Sequence, residues 1–248
     1  MWDVLEEREN LVGDDIVFEV RAEGATVTDI DGNVYKTVKL GNQVWMAENL
    51  RTTRYADGRK IPLGTTTSDD VAYRYYPDDN SANVSTYGYL YNWSAVMAGA
   101  SSSEANPSGV QGICPDGWHV PSDAEWTELT NYVSSHSQYV CGSSTSKIAK
   151  ALASEEGWNS RTENCAVGNN PDANNATGFS ARPAGKYDDY DYGGFGGAAF
   201  FWGATSHGYG SNYGASGRAL VCASAYVSSY GPWKYYGQSV RCVRNEEG

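Results

Sequence analysis

This chain of 248 residues offers three histidines, five cysteines and a short acidic cluster for chemistry. None of them stands in a spacing that a reaction would demand. His119, His136 and His207 form no H-E-x-x-H pair, in which two imidazoles one helical turn apart share a metal. No G-x-S-x-G elbow marks a nucleophilic serine. The run Gly193-Gly194-Phe195-Gly196-Gly197 lacks the Lys-Ser/Thr with which a phosphate-binding loop ends. His119, between a turn and an extended run, reads as a packed or hydrogen-bonded histidine. The sequence therefore predicts no catalytic residue, no metal ligand and no required cofactor. Calcium is retained only as a candidate at Asp188, Asp189 and Asp191, whose oxygens suit that ion but equally suit a solvated acidic loop. Asp29-Ile30-Asp31-Gly32-Asn33 starts like a calcium loop, yet it lacks the later ligands and closing glutamate of one and reads as a hairpin turn.

The cysteines, Cys114, Cys141, Cys165, Cys222 and Cys242, contain no C-x-x-C and so argue against zinc. If two disulfides form, one cysteine is left over. Pairing Cys141 with Cys165 would close a local loop, and pairing Cys114 with Cys242 would tie a central turn to the last strand, leaving Cys222 free. The sequence does not choose among the pairings. Cysteine usage and an aromatic, glycine-rich composition favour an exported protein. Thirty acidic against 18 basic residues, a net charge of −12, disfavour nucleic acid and anionic membrane surfaces as partners. No run approaches the roughly 20 apolar residues of a membrane span. The first residues lack the basic start and apolar core of a signal peptide, so the chain reads as a mature or trimmed form.

The elements that must position any site are clearest around residues 112–126, GICPDGWHVPSDAEW. Pro115-Asp116-Gly117 is a turn by its chemistry. Ser122 with Glu125 makes a capping box that starts a helix. Trp126, Leu129 and Val133 give that helix a buried face, with Glu125, Glu128 and Asn131 expected to point away from it. Residues 1–25 read as an extension or linker and 26–248 as one domain. Within that domain, residues 26–46 read as a β-meander and residues 52–86 as a long surface loop. An aromatic strand is expected over 87–93 and a helical turn over 94–98. A second short helix over 147–154 precedes a polar loop to residue 177. Strands are then expected over 178–183, 198–205, 219–221 and 238–244. The intervening segments are almost wholly Tyr, Ser, Gly, Asn and Trp. Such residues combine rigid contact area with adaptable hydrogen bonding, as in antibody paratopes.

Residues 28–51 (TDIDGNVYKTVKLGNQVWMAENLR), 87–96 (YGYLYNWSAV), 112–126, 177–185 (TGFSARPAG) and 239–244 (SVRCVR) resemble, in this order, the Fibrobacter succinogenes major paralogous domain family. The resemblance implies an α+β, C-type-lectin-like fold with two main helices, short antiparallel sheets and extensive loops, related to the formylglycine-generating enzymes. It also implies exported or surface proteins of Bacteroidetes and their relatives, mostly without known activity. Formylglycine formation needs two closely spaced cysteines, and Cys222 and Cys242 have neither the spacing nor the flanks, so no enzyme is expected. Calcium-dependent sugar binding is a runner-up only, because Asn170-Pro171-Asp172 occurs without the W-N-D run of such lectins. Some members of this fold class are variable proteins of diversity-generating retroelements. Residues 208–236 look like a product of that process, with Arg218, Leu220, Val227 and Lys234 as framework and Cys222 as a substituted site.

The expected function is a non-enzymatic binding module whose ligand, a protein or cell-surface molecule, meets Tyr209, Ser211, Asn212, Tyr213, Tyr226, Ser228, Tyr230, Trp233, Tyr235 and Tyr236. Replacing Tyr230 is expected to weaken binding while leaving stability almost unchanged. Trp45, Trp93, Trp118, Trp126 and Trp202 are the expected aromatic core. The alternatives are a structural surface or fimbria-tip adhesin domain and a calcium-dependent lectin.

Overall fold

The computed structural model describes residues 25–188, 191–207 and 214–245. In chain order its main elements are β1 (Thr26–Thr28), β2 (Val34–Leu40), β3 (Gln43–Met46), β4 (Arg74–Tyr75), α1 (Val84–Tyr87), β5 (Leu90–Tyr91), α2 (Trp93–Met97), β6 (Trp118–His119), α3 (Asp123–Ser134), α4 (Ala149–Leu152), β7 (Lys186–Asp188), β8 (Asp191–Gly193), β9 (Ala198–Ser206), β10 (Ala215–Val221), β11 (Val227–Tyr230) and β12 (Val243–Arg244). The architecture is α+β. One sheet runs β1-β2-β3-β12-β6, a second β11-β10-β9, and two-stranded ribbons pair β4 with β5 and β7 with β8.

The meander forms as its turn chemistry requires. Asp29 Oδ1 accepts the backbone N–H groups of Asp31 and Asn33, each at 2.9 Å, while Oδ2 accepts the Asn33 amide and the Tyr35 hydroxyl. Asp31 is taken up by Thr53 and Arg54. Asp29 is spent inside the turn and Asp31 ties the turn to residues 53 and 54, which agrees with the hairpin reading of this segment. The capping box also forms: Ser122 Oγ accepts the Glu125 N–H at 3.2 Å and Glu125 Oε2 accepts the Ser122 N–H at 2.9 Å. Trp126, Leu129 and Val133 are buried.

Several expectations are corrected. Glu125 does not point away from the core. It is 1% exposed, and its Oε1 lies 2.6 Å from His119 Nε2, while His119 Nδ1 is 2.7 Å from Asn245 Oδ1. A capping glutamate must turn back over the helix start, and here the helix start faces β6. The second helix is a single turn, Ala149–Leu152. Residues 178–183 are not a strand. Ser180 sits at φ +55°, a left-handed conformation that no strand residue adopts, and only Ala181 bridges, to Ala153. Residues 52–86 are not merely surface, since Tyr55, Ile61 and Tyr75 are buried and β4 pairs with β5. The glycine-rich loop after residue 185 contains the β7–β8 hairpin. β10 is longer than expected and gains β11 as a neighbour.

The terminal strand is also shorter, Val243–Arg244, but the residues before it are stitched in on every side. Gln238 exchanges backbone hydrogen bonds with Tyr91, and Ser239 binds Phe200 and Trp202. Val240 and Cys242 accept from Leu50 and Met46. This strap joins the two larger sheets. Arg241 within it is fully buried. Its guanidinium donates to Asn49 Oδ1 at 2.8 Å and to the carbonyls of Met46, Phe179 and Ser180 at 2.6–2.9 Å. It also lies 4.7 Å from the Phe179 ring centre.

Trp45, Trp126, Phe179 and Phe201 pack edge to face or tilted, with Trp45 and Trp126 centred 4.6 Å apart. Of the expected core tryptophans, Trp45, Trp118, Trp126 and Trp202 are buried and Trp93 partly so, and Trp158 joins them. The disulfides are Cys114–Cys242 and Cys141–Cys165. Cys222 is a free, buried thiol that accepts from Arg161 Nε at 3.2 Å.

His119 carries a pH prediction. Burial alone would pull its pKa down, but the hydrogen bond and charge of Glu125, with the Asn245 amide, raise it above the ordinary histidine value of about 6.5. With both ring nitrogens facing oxygen acceptors, the imidazolium satisfies each. A folded pKa above the unfolded one means stability that is fully present below about pH 6.5 and is lost as pH rises through the folded value. The melting temperature of the protein should therefore fall on going from pH 6 to mildly alkaline pH. His119→Gln should flatten that part of the profile, and an unchanged slope in the variant would assign it to other groups.

Candidate binding face

The β9–β11 sheet has two unlike faces. On one, Arg218 of β10 is 3% exposed and donates to Asp123 Oδ1 at 2.7 Å and to Thr127 Oγ1 at 3.1 Å, clamping the sheet onto α3. Leu220, two residues on, is buried with it. The other face carries Ser228 and Tyr230 of β11, which alternate onto the same side of the strand. Tyr230 lies across Gly217: a Cβ there would come 2.7 Å from the tyrosine ring. Glycine lets the ring reach Phe200, centroid to centroid 5.7 Å. Its hydroxyl donates to Gln238 Oε1. Burial, with Tyr236 adding, pushes that hydroxyl's pKa well above 10, so it stays a neutral donor. Tyr230 is thus half scaffold, and replacing it will cost stability as well as contact area.

Past β11 the chain turns at residues 233–236, where the Tyr236 N–H bonds the Trp233 carbonyl at 3.0 Å. Trp233 is 45% exposed and its ring lies within 15° of parallel to Tyr235, with centroids 6.1 Å apart. Tyr235 meets Tyr236 edge-on at 5.1 Å. Lys186 of β7 places its ammonium 4.7 Å from the Tyr236 ring and 5.8 Å from that of Phe200, and pairs with Asp188. The result is a continuous ribbon, Trp233, Tyr235, Tyr236, Lys186, Phe200 and Tyr230, partly open to solvent.

The structure thus gathers Tyr230, Trp233, Tyr235 and Tyr236. Ser228 is exposed on β11, and Tyr226, 46% exposed, lies at the opposite end of that strand from Trp233. Tyr209, Ser211, Asn212 and Tyr213 lie outside the described residues. Sequence reasoning missed Lys186 and Phe200. Lys186 is remote in sequence, and Phe200 looked like one more core residue of an apolar strand. Of the acidic cluster, Asp188 is committed to Lys186 and Asp189 lies outside the described residues. Among the described residues no group of three or more His, Cys, Asp or Glu side chains could hold a metal, and no helix is long and apolar enough to cross a membrane.

An α+β domain tied by two disulfides, with an aromatic ribbon on one sheet, is the class that fold and site define. The model of the Fibrobacter succinogenes major domain matches residues 38–244, and the chain belongs to that family. No curated protein and no solved structure was found to match it.

Proposed function

We propose that the protein is a non-enzymatic binding module, exported to the cell surface or beyond, that presents the β11 strand and the turn after it to a protein or cell-surface ligand on a C-type-lectin-like scaffold. The observation that carries this reading is the aromatic ribbon. Large rings clustered at a surface, on a sheet whose reverse side is anchored by Arg218, have the composition of an interface hot spot. The two disulfides favour an oxidising compartment.

Diversification by a retroelement belongs to the same proposal. In its support, the framework candidates Arg218, Leu220 and Lys234 are buried and Val227 is half-buried, while Tyr226, Ser228, Ser229 and Trp233 between them are exposed. Cys222 does not fit as a varied position, because it is 2% exposed and packs in the core. A near-copy of the codons for residues 200–244, differing only at adenines and lying beside a reverse transcriptase gene, is the expected finding in the flanking DNA. Its absence would leave a family member whose loops vary by ordinary drift.

The binding reading is tested by selecting ligands against the intact chain from displayed protein and glycan libraries, then substituting the ribbon. Trp233→Ala and Tyr235→Ala should each weaken a selected ligand by roughly 30-fold, about 2 kcal/mol for an aromatic anchor, with little change in melting temperature. Undiminished binding by both variants would remove the ribbon from the interface.

A further inference from the structure

The sheet that carries the ribbon is closed along one edge and open along the other. On the β9 side the outward backbone groups are taken. Phe200 accepts from the Ser239 N–H, Trp202 donates to the Ser239 carbonyl and Ala198 accepts from the Gly185 N–H, at 2.9–3.1 Å. β11 forms the opposite edge and has only β10 beside it. Successive residues of an antiparallel strand turn their N–H and C=O groups to one neighbour and then the other. Cys222 donates to Gly197 on the β9 side and Ala215 to Pro232 on the β11 side, which fixes the alternation along β10. Arg218 and Leu220 bond towards β9, and Gly217 and Ala219 towards β11. Gly217 is paired with Tyr230 and Ala219 with Ser228, so Ser228 and Tyr230 face inward. Val227 and Ser229 therefore present their N–H and C=O groups outward. Among the described residues no hydrogen bond takes them up, and Ser228 and Ser229 are exposed.

This edge is also unguarded. Sheet edges are commonly blunted by lysine, proline or an inward charge, and the four residues Val227–Tyr230 contain none of these. Their side chains at the centre are two serines, small enough to let another backbone approach to strand distance.

The chemistry narrows the occupant. A donor and an acceptor on each of two residues, repeated every second residue in the plane of the sheet, are matched by another extended backbone. A second copy of this chain would set a net charge of −12 against the same charge, whereas a segment free of acidic residues meets no such repulsion. A residue placed opposite Ser228 would come up on the face that carries Tyr230, so main-chain bonds along the edge would be continuous with the contact area of the ribbon. We infer that the outer edge of β11 is a strand-addition site, at which an extended, non-acidic segment of a protein partner pairs with Val227 and Ser229. This rests on the binding-module reading and names its ligand class.

The test selects a displayed library of linear random peptides on the intact chain and resynthesises the tightest peptide with single backbone N-methyl groups. Each methyl removes one N–H. Binding should fall roughly tenfold at every second position and little between them, the period of strand pairing. In hydrogen exchange the Val227 and Ser229 amides of the free protein should exchange faster than those of Ser228 and Tyr230, and the peptide should slow them. Ser229→Pro deletes an outward N–H and spares the β10 ladder, so it should weaken the peptide at least about tenfold, with thermal melting as the folding control. Should that variant not fold, the exchange and N-methyl results decide. The assignment is overturned by an N-methyl profile without the two-residue period, by unslowed Val227 and Ser229 amides, by undiminished binding in folded Ser229→Pro, by selection of acidic peptides alone, or by a dimer in sedimentation that Ser229→Pro dissolves. If ligands are captured through Trp233 and Tyr235 while these two amides stay unprotected, the edge falls and the binding-module reading stands. If no peptide, protein or glycan is captured, both fall.

Discussion

Arg241→Met will destabilise the protein by roughly 3–5 kcal/mol, the range for stripping one member from a buried charged network. The reason lies in what stays behind. Asn49 Oδ1 and the carbonyls of Met46, Phe179 and Ser180 are held in place by other structure, and methionine offers them nothing. Burial drags the Arg241 pKa down to about 9, so the group is still charged at neutral pH. Among the described residues no carboxylate lies within hydrogen-bonding reach of it; Glu48 acts on it only through space, and the group packs against carbonyl dipoles and the Phe179 and Phe201 rings. Lysine should not rescue it, because a compact ammonium cannot span acceptors that lie around a planar fork. Urea denaturation of the parent, Arg241→Met and Arg241→Lys would decide. A loss under about 1 kcal/mol in either variant would mean that water can replace the guanidinium. Set against a typical total of about 5–15 kcal/mol, the expected loss would leave the fold marginal.

The second large effect is that of the disulfides, and the two should differ. Cys114–Cys242 spans 128 positions and Cys141–Cys165 spans 24. Loop closure in the unfolded chain then assigns about 5 kcal/mol to the first and about 3.5 kcal/mol to the second. Cys114→Ala/Cys242→Ala should therefore be the less stable of the two double variants in chemical denaturation. The reverse order would show that native packing around the bridges, not chain entropy, governs their contribution.

What the sequence made legible was local or chemically forced. The capping box at Ser122 and Glu125 and the Asp29 turn depend on residues within four positions of each other, so pattern alone predicted them. The cysteine arrangement that left Cys222 free was one among several and is the one that forms. The failures share a different cause. Residues 178–183 looked like a strand by composition, but Arg241, some 60 residues later, takes the Phe179 and Ser180 carbonyls that a neighbouring strand would have used. The inward turn of Glu125 depends on His119 and on Asn245 at the far end of the chain. In the candidate site the aromatic residues after β10 were legible from composition. Lys186 and Phe200 were not, because only the fold brings β7 and β9 to the same place.

The strap of residues 238–242 has a consequence for synthesis. It is made after every aromatic segment it fastens, and it carries Arg241, Cys242 and the backbone partners of Tyr91, Phe200 and Leu50. A product that stops or shifts frame anywhere within the aromatic segments before it lacks the central strap and the long-range bridge together. Such a chain is expected to leave its core open and to be more readily cut by proteases. Folding thereby acts as a reading-frame filter: whatever the preceding loops contain, only chains read in frame through residue 242 can close this domain.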